Sequence, residues 1–398
     1  MLGPRATRAG TGPGGRTGSG GPIGPGAPTA PGAPTGPGGV SSTAAVDALL
    51  AEHLDRRLRE ARRVDTVFAD EVASRVAAFV LSGGKRLRSA FVRCGWMAAG
   101  GTGDAGTPLR IGAALELLQA CALVHDDVMD ESPVRRGAPA VHADFARMHR
   151  AGRLRGSAAS WSANAAVLAG DLALAWADDL FTETALSSPY GERLHREWQA
   201  MRVEMAAGQY LDVRAQATGS SDPGQARHIA TLKSALYTVE RPLALGASLA
   251  GADARTMEAL RSAGQCVGLA FQLRDDLLGA FGDPDVTGKP TGEDLRARKL
   301  TYLLAVAVGR ATESGDTDAL AVLGAEGAPA GGEAVPRMRA ALERTGARAA
   351  VEKEIAGLSA SGLRHFASSG ADERARREFA SLVDRAVGTE PALSGEDA

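Results

Sequence analysis

Cysteine is scarce in this 398-residue chain: Cys94, Cys121 and Cys266 are the only three. Three thiols so far apart make no disulfide framework, and they lack the paired spacing of a zinc site. Aromatic residues are 4% of the sequence, few for a β-sandwich or barrel, whereas alanine, leucine and arginine abound and favour helix. Neither sign of charge dominates. Lys+Arg is 45 against Asp+Glu 47, a formal net charge of -2, which argues against a protein built around nucleic acid. No run of about 18 apolar residues occurs, so no membrane span is expected. The best candidate, 163–177, is interrupted by Asn164 and Asp171. The sharpest shortage is lysine. Only Lys85, Lys233, Lys289, Lys299 and Lys353 occur, which leaves 40 of the 45 basic residues as arginine. A chain that uses arginine by default keeps lysine either by chance or where a compact ammonium matters, and phosphate binding is one such place.

What is present divides unevenly. Residues 1–40 hold 14 Gly and 8 Pro, with Arg5, Arg8 and Arg16 as their only charges. Such a stretch buries too little apolar surface to offset its ordering entropy, so 1–42 is expected to be a disordered tail. It has no apolar core of a secretory leader, and a cytoplasmic location is the expectation. From Val46 onward the pattern is helical: Ile111, Leu115, Leu118 and Ala122 recur at i, i+3/i+4 spacing. Similar patterns cover 43–62, 65–80, 88–100, 157–182, 190–215, 224–250, 254–281, 294–312, 336–367 and 371–387, with Gly or Pro in the gaps. No alternating strand pattern persists. The expectation is one all-α domain over 43–390, long helices around a central apolar cavity, and a disordered end at 391–398.

Three clusters carry chemistry. His125-Asp126-Asp127-Val128-Met129-Asp130, followed by Arg135-Arg136-Gly137, ends an otherwise apolar helix. Asp126 and Asp130 are i, i+4 and share a face. Carboxylates do not continue an apolar stripe without a partner, and oxygen-rich clusters suit a hard cation such as Mg²⁺. The alternative is a helix C-terminus reaching solvent. Phe271-Gln272-Leu273-Arg274-Asp275-Asp276 repeats the arrangement on a second apolar helix, with Lys289, Asp294 and Lys299 following. Two acidic helix ends with lysines nearby describe a site that holds an anion through bridging metals. Ser82-Gly83-Gly84-Lys85-Arg86-Leu87-Arg88 is the third cluster. Its glycines let the backbone approach a ligand, but the Gly spacing and the Ser/Thr of a Walker A loop are absent.

These motifs, with Gly170-Asp171, Gly208-Gln209-x-x-Asp212 and Lys233 between them, occur in one order along 45–388. The ordered set resembles the trans-isoprenyl diphosphate synthases of the polyprenyl synthetase family. The resemblance implies an isoprenoid-synthase helix bundle and head-to-tail condensation of isopentenyl diphosphate onto an allylic diphosphate. It implies a metal set of Asp126, Asp127, Asp130, Asp275 and Asp276 for Mg²⁺, three ions per site, with Asp126, Asp130 and Asp275 holding the ions and Asp127 and Asp276 supporting. Asp126, Asp127, Asp130, Asp275 and Lys233 are the implied catalytic set. Arg135, Lys233, Lys289 and Lys299 would take the allylic diphosphate, and Lys85, Arg88, Gln119 and Arg136 the isopentenyl diphosphate. Ser234, Tyr237 and Gln272 would line the reacting centre, with Phe271 among the substrate-binding residues. A homodimer is the family expectation.

Three positions depart from the pattern. Gly279 stands where many relatives carry a third aspartate, Gln119 where histidine is common, and Ser89 where proline often follows the basic motif. Product length is read from Leu118, Cys121 and Ala122. Cys121 lies roughly 7.5 Å below Asp126 at a rise of about 1.5 Å per residue. A bulky aromatic there stops elongation in the family, whereas Cys121 and Ala122 are small. C20 geranylgeranyl diphosphate is expected, with longer chains and C15 as alternatives. A class I terpene cyclase would not need the Lys85/Arg88 cluster, and a non-catalytic partner subunit usually loses one aspartate motif.

Overall fold

The computed structural model describes residues 42–103, 105–283, 292–324 and 333–388. Of the expected 1–42 tail, 1–41 lie outside them, as do the expected tail 391–398 and Lys289, while Ser42 begins a helix. Among the described residues the regular structure is helical apart from one hairpin of two-residue strands. The all-α expectation therefore holds.

The Gly106–Met129 helix runs through the middle. Ile111, Ala113, Ala114, Leu115, Leu117, Leu118 and Ala120 are all buried, so it is apolar on every side, as a core helix must be. By length and composition this helix, rather than 163–177, is the one able to cross a membrane, yet 67% of its most apolar window is buried inside the protein. It packs along the Ala158–Leu186 helix, whose Ala166, Ala169, Ala173 and Ala177 are buried. Small side chains let the two backbones approach closely. Each Leu removed from water in such a seam contributes about 1.5–3 kcal/mol. A second apolar cluster joins the Leu87–Ala98, Arg241–Leu249 and Ala254–Phe281 helices to the Ala347–Ala367 and Glu373–Val387 helices. There Phe366 stacks on Phe379 with ring centroids 4.0 Å apart.

Periodicity merged elements that the chain separates. The 224–250 pattern is three segments: Pro223–Ala230, a ten-residue π-helix at Thr231–Glu240, and Arg241–Leu249. A π turn widens the helix without breaking its apolar stripe, so spacing alone does not reveal it. The 336–367 pattern breaks at Gly346, whose φ of 69° only glycine adopts cheaply. The 294–312 pattern yields a short Glu293–Arg296 turn and a helix from Tyr302, which Thr301 caps by accepting from the Leu304 amide.

Candidate active site

The C-terminal turn of the Gly106–Met129 helix presents Asp126 and Asp127, and Asp130 caps its end. Lys233, on the π-helix, donates to Asp126 Oδ1 at 2.9 Å and to Asp212 Oδ2 at 2.6 Å. Lys299 donates to Asp130 Oδ2 at 2.6 Å and lies 3.5 Å from the same Asp212 oxygen. Asp212, on the Gly191–Thr218 helix, is 2% exposed and clamps both lysines. Gln209, one turn earlier, donates to Asp126 at 3.3 Å. Burial opposes ionisation of Asp126, but Lys233, Lys299 and Arg135 outweigh it and hold the carboxyl at about 2. It is a carboxylate at any working pH. For Lys299, burial favours the neutral form, yet Asp126, Asp212, Asp130 and Asp294 push its value well above the ordinary lysine range.

The π-helix approaches Asp212 because residue 208 is glycine. A Cβ there would stand 2.3 Å from the Lys233 amide nitrogen, closer than any real contact.

The second acidic motif behaves differently along its length. Asp275 is exposed, whereas Asp276 is buried and accepts from Gln272 at 2.9 Å. Burial pushes Asp276 up to about 8; the Gln272 hydrogen bond opposes this, and Asp275 and Asp294 add to it. A Cβ at Gly279 would meet Asp294 Oδ2 at 3.0 Å, so an acidic group from elsewhere occupies the space beside the position of the absent aspartate.

The first motif also splits. Asp127 is 0% exposed, and Arg135 donates to its Oδ1 through both Nε, at 2.8 Å, and Nη2. Asp127 and Asp276 are buried, whereas Asp126, Asp130 and Asp275 keep carboxylate surface, in line with the supporting place expected for the first two. Those three expose carboxylate oxygen only, which fits a hard divalent cation. Among the described residues no three ligating side chains stand close enough to chelate as arranged; Lys233 and Lys299 lie among the carboxylates instead.

Basic groups collect next to this cluster. Val134–Arg135 pairs antiparallel with Ala138–Pro139, and the turn residues Arg136 and Gly137 have φ of 55° and 73°, the type I′ pattern. The hairpin thus presents Arg135 and Arg136. Arg136 donates to the Gly83 carbonyl at 2.5 Å, which fixes the Gly83-Gly84 loop. Arg88 donates to Thr238 at 2.9 Å and lies 4.2 Å over the Tyr237 ring, both residues of the π-helix. The Tyr237 hydroxyl in turn donates to Gln119. Among the described residues Lys85, Arg88 and Arg136 have no carboxylate within ion-pair distance, and Arg88 Nε is buried without a hydrogen-bond partner. Cations left unneutralised where carboxylates are plentiful are a ready anion site.

Backbone strain marks the same place. Five non-glycine residues among those described have positive φ, and four of them, Arg86, Glu131, Arg136 and Arg298, directly adjoin Lys85, Asp130, Arg135 and Lys299. Such conformations cost about 1–3 kcal/mol each and persist where the surroundings over-determine them.

The remaining expected residues lie along these elements. Ser234 and Phe271 are half-buried, Leu118 and Cys121 are buried, and Ala122 is half-buried. The Asp171 side chain is 59% exposed, 3.6 Å from His125. Asp178 accepts from the Trp198 indole at 2.6 Å. Cys266 is half-exposed. The Gly208-Gln209-x-x-Asp212 motif belonged to the ordered set, and its spacing puts Gly208 and Asp212 on one helix face; the spacing did not show that Asp212 clamps two lysines or that Gln209 reaches Asp126.

Among the described residues, then, two acidic helix ends, two clamped lysines and the carboxylate-free cations Lys85, Arg88 and Arg136 belong to one helical bundle. The sequence profile of the polyprenyl synthetase family matches residues 70–333. The chain is 32% identical over 303 residues to a geranylgeranyl diphosphate synthase of Mycobacterium tuberculosis, covering 76% of each protein. It is 29% identical over 249 residues to a geranylfarnesyl diphosphate synthase of Aeropyrum pernix, covering 62% of this chain and 73% of that one. Its structure matches the geranylgeranyl pyrophosphate synthase of Corynebacterium glutamicum, crystallised with isoprenyl diphosphate and magnesium, at a TM-score of 0.83 and 36% identity, covering 87% of this chain and 98% of that one. The chain belongs to the polyprenyl synthetase family and is a prenyltransferase with prenyl diphosphate synthase activity.

Proposed function

We propose that the chain condenses isopentenyl diphosphate with an allylic diphosphate and stops at C20, geranylgeranyl diphosphate. The observation that carries this reading is the size of Cys121 and Ala122, the small side chains one turn and more below Asp126. On this helix a growing prenyl chain meets Cys121 and Ala122 before the bulkier Leu118.

In this reading Asp126, Asp130 and Asp275 hold the Mg²⁺, three ions per site. Magnesium bound there supplies positive charge to the departing diphosphate. The chain's own groups do the rest. Lys233, Lys289, Lys299 and Arg135 hold the allylic diphosphate, and Asp212 sets the reach of Lys233 and Lys299. Lys85, Arg88, Gln119 and Arg136 take the isopentenyl diphosphate, with the buried Arg88 Nε as a waiting donor. The allylic C–O bond ionises, the isopentenyl double bond attacks the allylic carbon, and the released diphosphate takes the proton. Ser234, Tyr237, Phe271 and Gln272 line this centre, and the apolar helix faces keep water from the carbocation. A homodimer is supported by exposed Val167 and Leu168 on one helix and Val203, Tyr210 and Val213 on the next.

Purified protein incubated with isopentenyl diphosphate, Mg²⁺ and C5, C10 or C15 allylic diphosphates should give mainly C20 product. Cys121→Phe should stop at C15 or below. A C30 or longer product would refute the floor reading. No condensation with any primer would favour a terpene cyclase or a partner subunit.

A further inference from the structure

The loop Ser82–Arg86 places Lys85, yet little in it is rigid by nature. Gly83, Gly84 and Arg86 have φ of 95°, 152° and 48°, and two consecutive glycines carry a large ordering entropy. The loop is therefore held by side chains from other elements. Arg136 donates to the Gly83 carbonyl and to Ser82 Oγ, and the buried Arg86 reaches back to the Val80 carbonyl at 3.0 Å. The remaining hold comes from 300 residues away. Arg385, in the last turn of the Glu373–Val387 helix, donates through Nη2 to the Lys85 carbonyl at 3.0 Å.

That helix is rigidly mounted. Phe379 packs edge-on against Phe91 with centroids 6.3 Å apart, Cys94 lies 3.9 Å from the Ala375 carbonyl, and Glu378 pairs with Arg93. Its end is fixed as well: Arg274, the residue before Asp275, donates to the Val387 carbonyl at 2.9 Å. Arg385 and Lys85 are both exposed, and among the described residues Arg385 has no carboxylate within ion-pair distance, so the Lys85 carbonyl is the protein partner its guanidinium meets at the surface. We infer that Arg385 is a positioning residue for isopentenyl diphosphate, holding the Lys85 peptide so that the Lys85 ammonium meets the diphosphate. This rests on the assignment of Lys85, Arg88 and Arg136 to that substrate. The peptide plane after Lys85 cannot rotate without breaking the Arg385 bond, and the terminal helix ties this half of the site to the second acidic motif through Arg274.

The test uses full-length protein and isopentenyl diphosphate alone, which does not condense without a primer. Titration calorimetry should show Arg385→Ala binding about five- to tenfold more weakly than the wild type, the scale of one charged hydrogen bond acting indirectly. The KM for isopentenyl diphosphate should rise by the same factor while the KM for the allylic substrate and the melting temperature stay unchanged. Arg385→Lys, which keeps a donor, should recover most of the loss. Arg377→Ala, on the same helix but in an exposed pair with Glu373, should leave every value unchanged. Tight wild-type binding with an unaltered Arg385→Ala affinity would overturn the inference alone. Equal rises in both KM values, unrescued by Arg385→Lys, would also overturn it by assigning Arg385 to general stability. If Arg385→Ala does not fold, Arg385→Met, which keeps the stem, is read the same way. No binding by wild-type protein would overturn the substrate assignment itself.

Discussion

An alanine at position 208 would place its methyl carbon 2.3 Å from the Lys233 amide nitrogen and 2.6 Å from the Lys233 Cα. Ordinary contact begins near 3.4 Å, so the two helices must separate by about 1.1 Å. The opposing atoms are backbone and have no rotamer to change. Alanine in a helix interior gains about 0.5–1 kcal/mol over glycine, whereas overpacking of this kind costs about 1–3 kcal/mol. A net destabilisation of about 1–2 kcal/mol follows. The kinetic effect should be larger. Lys233 reaches Asp126 at 2.9 Å and Asp212 at 2.6 Å, and a shift near 1 Å removes it from both. Misplacement of that size costs about a hundredfold in rate. The assay is kcat at saturating substrate beside a thermal melt. Gly309→Ala and Gly357→Ala are the controls: both glycines lie within helices with nothing within 4 Å of a built Cβ, so each should stabilise slightly and leave kcat alone. A Gly208→Ala enzyme with wild-type kcat and melting temperature would refute the argument that this glycine sets the lysine.

Two further predictions concern groups away from the reacting centre. Burial, with Arg57 and Arg56 beside the ring and only Glu183 opposing, holds buried His53 at about 4 against 6.5 unfolded. The unfolded chain then binds the extra proton, so up to about 3 kcal/mol of stability is present above pH 6.5 and lost as pH falls toward 4. Urea midpoints at pH 7 and 4.5 should differ more for wild type than for His53→Leu; equal differences would refute this. The thiols should also sort by environment. Cys94 is raised by burial, Cys121 is pushed up to about 12 by burial and Asp171, and Cys266 is raised less and half-exposed. A thiol reagent should therefore label Cys266 first and all three only after denaturation, and fastest labelling at Cys121 would contradict it.

Much of the site was legible because its chemistry is local. Asp126 and Asp130, or Gln272 and Asp276, are i, i+4 on one helix, and a helix brings them together whatever the fold. The scarcity of lysine pointed to Lys85, Lys233 and Lys299 before any geometry was known. The π-helix was invisible because its apolar spacing mimics an α-helix. The exposure of Asp171, Asp178 and Cys266 was not legible, because it depends on which helix packs against them.

The sequence by itself determined the all-helical class, the two acidic helix ends and the basic loop, since each follows from spacing and side-chain type within a few residues. Tertiary structure decided which carboxylates of the two acidic motifs remain exposed and which are buried. It set Asp212 between Lys233 and Lys299, and it brought Arg385 to Lys85 across 300 residues. Those outcomes depend on how closely helices approach, and that distance is set by small residues such as Gly208 whose neighbours lie far along the chain.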